Sequence, residues 1–216
     1  MDFTFTTDQK QLRHKIREFC TDYPDSYWRQ KDRERAYPQE IVTALTKEGY
    51  LSALIPEKYG GSGLGVSEAS IILEEINRSG GNSAGFHGQM YIMGALLRHG
   101  SESQKDRWLP PIAAGKLRLQ AFSVTEQEAG SDTTNIQTYA RKENDHYIIS
   151  GHKNWTSRIQ QSDLMLLLAR TTPSDAVTTR TDGLSLFMID LQDARRQRDT
   201  LIVNPVKTMI NYETFE

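Results

Sequence analysis

The spacing of the apolar residues changes near Lys116, and this change limits the folds open to the 216-residue chain. Before this point apolar side chains recur every three or four positions, as on one face of an α-helix. After it they alternate with polar side chains, as Leu119 and Ala121 do, which is typical of β-strands. We therefore predict an α+β protein with an all-helical domain over residues 1–118 and a β domain over residues 119–216.

Amphipathic helices account for most of the first domain. The apolar periodicity, the capping signals and the glycines at the helix ends predict helices over 7–22, 38–49, 67–79 and 86–100. Ser101 and Gln104 form a capping-box pattern that starts another short helix, and Pro110 and Pro111 are expected to end it.

Residues 59–65 form a glycine-rich loop that invites comparison with phosphate-binding loops. A Val/Ile-rich strand does not precede it, and a lysine does not follow at the spacing of a P-loop. A turn or linker is therefore favoured over a nucleotide site.

Short strands are predicted after Lys116, with Tyr147 and Ile149 in one of them and runs over 164–168 and 184–189 in others. A hairpin turn at 143–145 joins two of the strands. The Thr-rich segment 173–183 is expected to be a surface connection.

Composition excludes several classes of protein. With 26 basic and 28 acidic residues intermixed, the net charge of −2 provides no basic patch for nucleic acid, and no apolar run is long enough for a membrane span. The single cysteine, Cys20, excludes an internal disulfide and is expected in the helical core. The N-terminal residues have no secretory signal, so we expect the protein in the cytoplasm. Five scattered histidines do not have metal-site spacing. Glu74 and Glu75 are expected to be surface charges.

Two polar turns remain as candidates for chemistry. The strand-like residues 121–124 run directly into Thr125 and the small residues Gly130 and Ser131, whose backbone N–H groups are open to an anion. A second turn, residues 151–157, carries a tryptophan, which offers a large aromatic plane. From the residues alone, the alternative is an ordinary β-turn with a core tryptophan.

Four motifs in this order resemble the acyl-CoA dehydrogenase family of flavoproteins. Residues 125–132 (TEQEAGSD) are similar to its Thr-Glu-Pro-x-x-Gly-Ser-Asp box, and residues 151–157 (GHKNWTS) to its Gly-x-Lys-x-Trp-Ile-Thr/Ser element. Residues 54–61 (LIPEKYGG) and 100–105 (GSESQK) resemble the family's Pro-Glu-x-Tyr-Gly-Gly turn and Gly-Ser/Thr-x-x-Gln-Lys helix start. Gln127 stands where proline is usual, and Thr156 stands where isoleucine is usual.

This resemblance implies a helical domain, a β domain of two packed antiparallel sheets, and FAD as the cofactor. The residues that it assigns to the cofactor are Phe122, Val124, Thr125, Gly130, Ser131, Trp155, Thr156 and Ser157. Phe122 and Val124 would lie against the flavin, Thr125 would bond near its pyrimidine edge, and Gly130 and Ser131 would serve the pyrophosphate. Ser131 would also touch the CoA part of the substrate. Trp155 would shield the ring, and Ser157 would place a hydroxyl near flavin N5.

The family also has a C-terminal four-helix bundle that carries the glutamate base, and we expect both to be missing from this sequence. The end of the chain, 206–216, resembles a strand that leads toward that bundle. We therefore expect no catalytic residue in this chain and little activity from it alone. An acyl-CoA substrate, an electron-transfer flavoprotein as acceptor and homo-oligomerisation of the complete enzyme are implied. The alternatives are a flavin oxidase or monooxygenase of the same fold, and a non-catalytic interaction module.

Overall fold

The computed structural model describes residues 4–197, 200–209 and 214–216, and the chain divides into two compact units at Arg118 and Leu119. The helical unit contains, in order, α1 (Thr7–Cys20), α2 (Asp25–Glu34), α3 (Gln39–Lys47), α4 (Val66–Arg78), α5 (Ala84–His99) and α6 (Glu102–Ala113). The β unit contains β1 (Leu119–Ser123), β2 (Tyr139–Glu143), β3 (His146–Ser150), β4 (Leu164–Arg170), β5 (Leu184–Asp190), α7 (Leu191–Arg196), β6 (Pro205–Val206) and β7 (Thr214–Phe215). The predicted α+β class, with helices before strands, is confirmed.

Capping residues place the starts of α1 and α6 where the sequence predicts them. The Thr6 hydroxyl accepts from the backbone N–H of Gln9 at the start of α1, and Ser101 does the same for Gln104 at the start of α6. Helix α2 was not predicted. Its ten residues contain only two large apolar side chains, of which Trp28 is buried, so it shows no apolar stripe in sequence.

The prediction that Pro110 and Pro111 end α6 is wrong. The helix runs through both prolines to Ala113. Leu109 and Ile112, on either side of the prolines, are fully buried, and their packing keeps the last turn helical although each proline removes one helical hydrogen bond.

The helical core is built from the predicted periodic positions. Phe86 and Met93 of α5 are fully buried, and Met90 is 3% exposed, so the methionines of this helix are core residues. Cys20 lies in the same core, where burial raises the pKa of its thiol. The described part of the chain contains no helix long and apolar enough to span a membrane.

The glycine-rich loop is a structural turn, as predicted. The N–H groups of Gly61 and Gly63 donate to the carbonyls of Pro56 and Ile55, so these donors are not available to a phosphate. Gly61 also lies so close to Ile55 that an added Cβ would approach its carbonyl oxygen to 2.1 Å. Only glycine fits there.

Strand β4 is the centre of a five-stranded sheet in the β unit. It pairs in parallel with β1 and antiparallel with β5, and at Arg170 it pairs in parallel with β2. Strands β2 and β3 form the predicted hairpin, which turns at Asn144 with a positive φ of 54°.

The expectation of purely antiparallel sheets is therefore wrong, because this sheet is mixed. About forty residues, including the whole β2–β3 hairpin, separate β1 from β4, so the chain has room to return and lay β4 parallel to β1. Strands β6 and β7 form a second, two-stranded antiparallel sheet.

The two sheets of the β unit share one core. Phe215 of β7 is 1% exposed and packs in a cluster with Ala121 of β1 and with Met165 and Leu167 of β4. The two-stranded sheet of β6 and β7 therefore covers one face of the larger sheet. Of the segment expected to form a strand at 206–216, residues 210–213 lie outside the described residues.

A buried carboxylate joins α1 to α4, which corrects the assignment of Glu75 as a surface charge. The Glu75 side chain is fully buried, and it accepts from Arg17 Nε at 2.6 Å and from Arg13 Nη1 at 2.5 Å. These bonds, that from Arg17 most strongly, lower the pKa of the Glu75 carboxyl. Glu74 is 57% exposed and pairs with Arg13 from the outside.

We expect Glu75→Gln to reduce the free energy of unfolding by about 2 kcal/mol, because it leaves Arg13 without its buried partner. Glu74→Gln, at the exposed neighbour, should cost much less. The lowered pKa means that this stabilisation is complete above the ordinary value of 4.5 and is lost as the pH falls below it. Urea unfolding at several pH values measures both effects. Equal losses for the two variants would contradict the buried ion pair.

Candidate functional site

The buried carboxylate of Glu126 holds the first motif in place. It follows β1 and accepts from the backbone N–H groups of Gln137 and Thr138, at 2.6 and 2.9 Å, and from the Thr138 hydroxyl. Burial opposes its ionisation, but these bonds and that from Lys153 outweigh burial and lower the pKa of Glu126 to about 2. The start of β2 is therefore tied to the end of β1.

Lys153 brings the second motif to the same place. Its Nζ donates to Glu126 Oε1 at 2.9 Å and to the carbonyl of Val124 at 2.8 Å, and the side chain is 8% exposed. Burial lowers the pKa of the Lys153 ammonium, and Glu126 offsets part of that effect. The backbone N–H of Asn154 donates to the carbonyl of Thr125 at 2.8 Å. The two motifs that the sequence separates by about twenty residues therefore lie side by side.

Gly151 allows this close approach. A Cβ at this position would lie 2.3 Å from the hydroxyl of Thr138, the same hydroxyl that bonds to Glu126. Any larger residue would push the second motif away from the buried carboxylate.

The backbone of Trp155 is in the left-handed region, with a φ of 62°, which a residue with a Cβ adopts only when its surroundings hold it. The surroundings here are two backbone hydrogen bonds of 2.8 Å on either side, from Asn154 to Thr125 and from Thr156 to Phe215. The reversal leaves the side chain of Trp155 56% exposed. An exposed indole in a strained, hydrogen-bonded turn is a ready surface for stacking.

The loop that carries Gly130 and Ser131 is organised by Asp132. This carboxylate accepts from Thr134 and Asn135 within the loop and from Arg180 Nη2 at 2.9 Å. The bond from the Thr134 hydroxyl is the main cause of the lowered pKa of Asp132. Both small residues remain exposed, and an added Cβ at Gly130 would meet no atom within 4 Å. Their backbone and the Ser131 hydroxyl are open to a ligand.

The structure places the eight predicted cofactor residues in three environments. Exposed residues are Gly130, Ser131 and Trp155; half-buried residues are Phe122, Val124, Thr125 and Ser157; the buried residue is Thr156. The Thr156 hydroxyl lies 3.0 Å from that of Ser123, and Ser157 Oγ donates to Thr214 Oγ1 at 3.4 Å. Within the described residues, no hydrogen bond joins Gly130 or Ser131 to the second motif.

Glu126, Lys153 and Asp132 were not predicted to have a role, although each belongs to a motif. The sequence did carry a signal, because Glu126 closely follows an apolar strand and Lys153 lies between Gly151 and Trp155, two residues from each, where charged side chains are seldom buried. Their pairing required the fold. Over residues 4–197, 200–209 and 214–216, no group of three or more His, Cys, Asp or Glu side chains is arranged to hold a metal ion.

A cavity of about 400 Å³ lies behind the second motif in the β unit. Ser123, Thr156 and Phe215 line it, together with Leu201 and Val203. Gly130, Ser131 and Trp155 are not among its lining residues, so the open surface of the site is elsewhere.

Comparison with known families identifies the class of the protein. The model of the acyl-CoA dehydrogenase N-terminal domain matches residues 6–116, and that of the acyl-CoA dehydrogenase middle domain matches residues 121–210. The chain therefore belongs to the acyl-CoA dehydrogenase family.

Individual relatives support this assignment to the family. The chain is 33% identical to the acyl-CoA dehydrogenase FadE12 of Mycobacterium tuberculosis over 169 residues, which are 78% of this chain and 43% of the relative. It is 32% identical to the glutaryl-CoA dehydrogenase of Desulfococcus multivorans, over 88% of this chain and 49% of the relative. A solved glutaryl-CoA dehydrogenase in complex with glutaryl-CoA superimposes with a TM-score of 0.86 at 26% identity and covers the whole chain and 54% of that structure. The chain thus spans about half the length of these relatives.

We expect Glu126→Gln to lower the free energy of unfolding at neutral pH by about 2 kcal/mol, since it leaves the Lys153 ammonium buried without a counter-charge. The carboxylate's contribution is complete above the ordinary pKa of 4.5 and is lost as the pH falls from there through about 2. The difference between the two proteins should therefore shrink below pH 4.5.

Denaturant unfolding between pH 7 and pH 3 tests this expectation. The matched control is Glu128→Gln, two residues along the same turn and exposed, which should change little at any pH. A loss for Glu126→Gln that is independent of pH would contradict the role given to its charge.

Proposed function

We propose that this chain forms the flavin-binding part of an FAD-dependent acyl-CoA dehydrogenase, which oxidises the α,β bond of an acyl-CoA thioester. Membership of the family supports this proposal. The observation that carries it is the direct bonding of Lys153 to Glu126 and of Asn154 to Thr125. These bonds assemble two separate motifs into one polar edge.

The residues at this edge fit the chemistry of FAD. Gly130 and Ser131 present unhindered donors, which suit the pyrophosphate. Trp155 presents an aromatic face of the size that stacks on an isoalloxazine ring. FAD, when bound, would supply the acceptor for the hydride that leaves the β-carbon.

This chain's own part is to bind, orient and stabilise. Thr125 would place a hydroxyl donor near the ring atoms that gain negative charge, and a donor held in advance stabilises such charge without reorganising. Ser157 would do the same by turning its hydroxyl from Thr214 to the ring. Phe122, Val124 and Thr156 would shape the wall of the site. Ser131 would also contact the CoA portion of the substrate.

Glu126 is unsuited to the role of the general base. It is 7% exposed, already accepts three hydrogen bonds within the β unit besides that from Lys153, and its pKa of about 2 makes its carboxylate a weak base. Because no other carboxylate in these motifs is assigned to the α-proton, we propose that these 216 residues alone do not oxidise acyl-CoA. The base would come from the half of the relatives that this chain does not span. An electron-transfer flavoprotein would then take the electrons from the complete, oligomeric enzyme.

Titration with FAD, followed by quenching of flavin or tryptophan fluorescence, tests the proposal. We expect weak, saturable binding, and Trp155→Leu should weaken it by about tenfold through lost stacking. Tyr147→Leu is the control, because Tyr147 is a similarly exposed aromatic residue of the same unit, 45% exposed on β3. A chain that binds no FAD, or two variants that weaken binding equally, would count against the flavin site.

Addition of an acyl-CoA to the FAD-loaded chain tests the second half of the proposal. We expect the visible flavin absorbance to persist, because the α-proton has no base. Bleaching in the absence of air would show that the 216 residues suffice for catalysis. Bleaching followed by oxygen consumption would favour the oxidase alternative.

A further inference from the structure

A buried hydrogen bond between two hydroxyl groups ties the second motif to strand β1. Ser123 ends β1 and is 2% exposed, Thr156 follows Trp155 and is 3% exposed, and their hydroxyl oxygens lie 3.0 Å apart. Either hydroxyl can donate to the other. Their neighbours Leu167 of β4 and Phe215 of β7 belong to the apolar core of the β unit. Either position would ordinarily hold an apolar side chain.

Hydrogen bonds between the second motif and residues 123–126 follow one antiparallel register. They join Lys153 to Glu126, Asn154 to Thr125 and Thr156 to Ser123. Each step forward along the second motif is therefore a step back along the other segment, as between antiparallel strands. The long side chain of Lys153 also reaches the carbonyl of Val124, two positions away. This register places Trp155 opposite Val124 and Ser157 opposite Phe122.

The same register separates an open face from a buried one. Successive side chains of an extended segment point to opposite sides. Ser123 and Thr156 are buried, whereas Phe122 and Ser157 are half-buried and Trp155 is exposed. The hydroxyl pair thus lies behind the residues that the proposed function places against the flavin.

A pair of bonded hydroxyls adds little net stability to an apolar core. Replacing both partners by apolar groups of similar shape is close to neutral, whereas losing one partner leaves the other buried and unpaired. What the bond supplies is direction, because it forms in one register only, and a shift by one residue would exchange the buried and the open faces. The bond between Ser123 and Thr156 is therefore suited to keep Trp155 and Ser157 on the open face.

We propose that Ser123 is a positioning residue of the flavin site, which acts through Thr156 to fix the register of the second motif against β1. The inference rests on the proposed function, since it concerns how Trp155 and Ser157 are placed against FAD. It assigns a role to a residue that lies outside both motifs, 125–132 and 151–157. It also predicts that loss of the bond affects FAD affinity and stability differently.

Ser123→Ala, Thr156→Val and the double variant test the inference by thermal unfolding and by FAD titration below the thermal midpoint of each protein. Each single change should weaken FAD binding about fivefold and lower the midpoint, because it leaves one buried hydroxyl unpaired. The double variant should regain most of the midpoint, since neither hydroxyl remains, but should still bind FAD about fivefold more weakly than wild type. Thr156→Ser keeps the hydroxyl and should bind FAD as wild type does.

Ser185→Ala is the matched control, because it breaks a similar hydroxyl pair of the same unit, with Thr171 at 3.1 Å. It should lower the midpoint and leave FAD affinity unchanged. If FAD affinity follows the midpoint through the whole set, or if Ser123→Ala and Thr156→Val bind FAD as wild type does, only the role of Ser123 is overturned. If the wild-type chain binds no FAD, the proposed function fails and this inference fails with it.

Discussion

Three segments of the β unit meet at the buried carboxylate of Glu126. It accepts hydrogen bonds from two backbone N–H groups and a hydroxyl at the start of β2, and from the ammonium of Lys153 in the second motif. Four donors therefore surround this carboxylate, three at Oε1 and one at Oε2. Because these donors come from two separate segments, the geometry of the whole site depends on this one group.

The helical unit also contains a buried glutamate that links distant segments. Glu75 is also fully buried and also receives its bonds from a distant segment, the arginines of α1. Its partners join two helices, α1 and α4. Around Glu126, by contrast, the bond from Lys153 holds the second motif beside the first, and the side chain of Trp155 in that motif is exposed. A buried charge links two helices in one unit, and in the other it holds together the two motifs that are proposed to bind FAD.

The site therefore separates residues that are bonded within the protein from residues that are proposed to bind FAD. Glu126, Lys153 and Asp132 are bonded within the protein, and Gly151 allows the segments to approach. Gly130, Ser131 and Trp155 are exposed beside them. This division is what a preorganised cofactor site requires, because the binding groups are held in place before the ligand arrives.

Much of this protein can be predicted from local sequence, because local interactions decide it. The helical and strand periods, the caps at Thr6 and Ser101, and the hairpin turn at Asn144 depend on residues a few positions apart, and all were predicted. The four motifs identify the family for the same reason, since each is a short run of residues.

The tertiary structure alone decided the rest. Burial of its last turn keeps α6 helical through two prolines, and a long connection allows β4 to lie parallel to β1. Glu75 is buried because distant arginines pair with it, and Glu126 because a distant lysine does. Whether a charged residue is buried depends on which partners the fold brings to it, and those partners lie tens of residues away in the sequence.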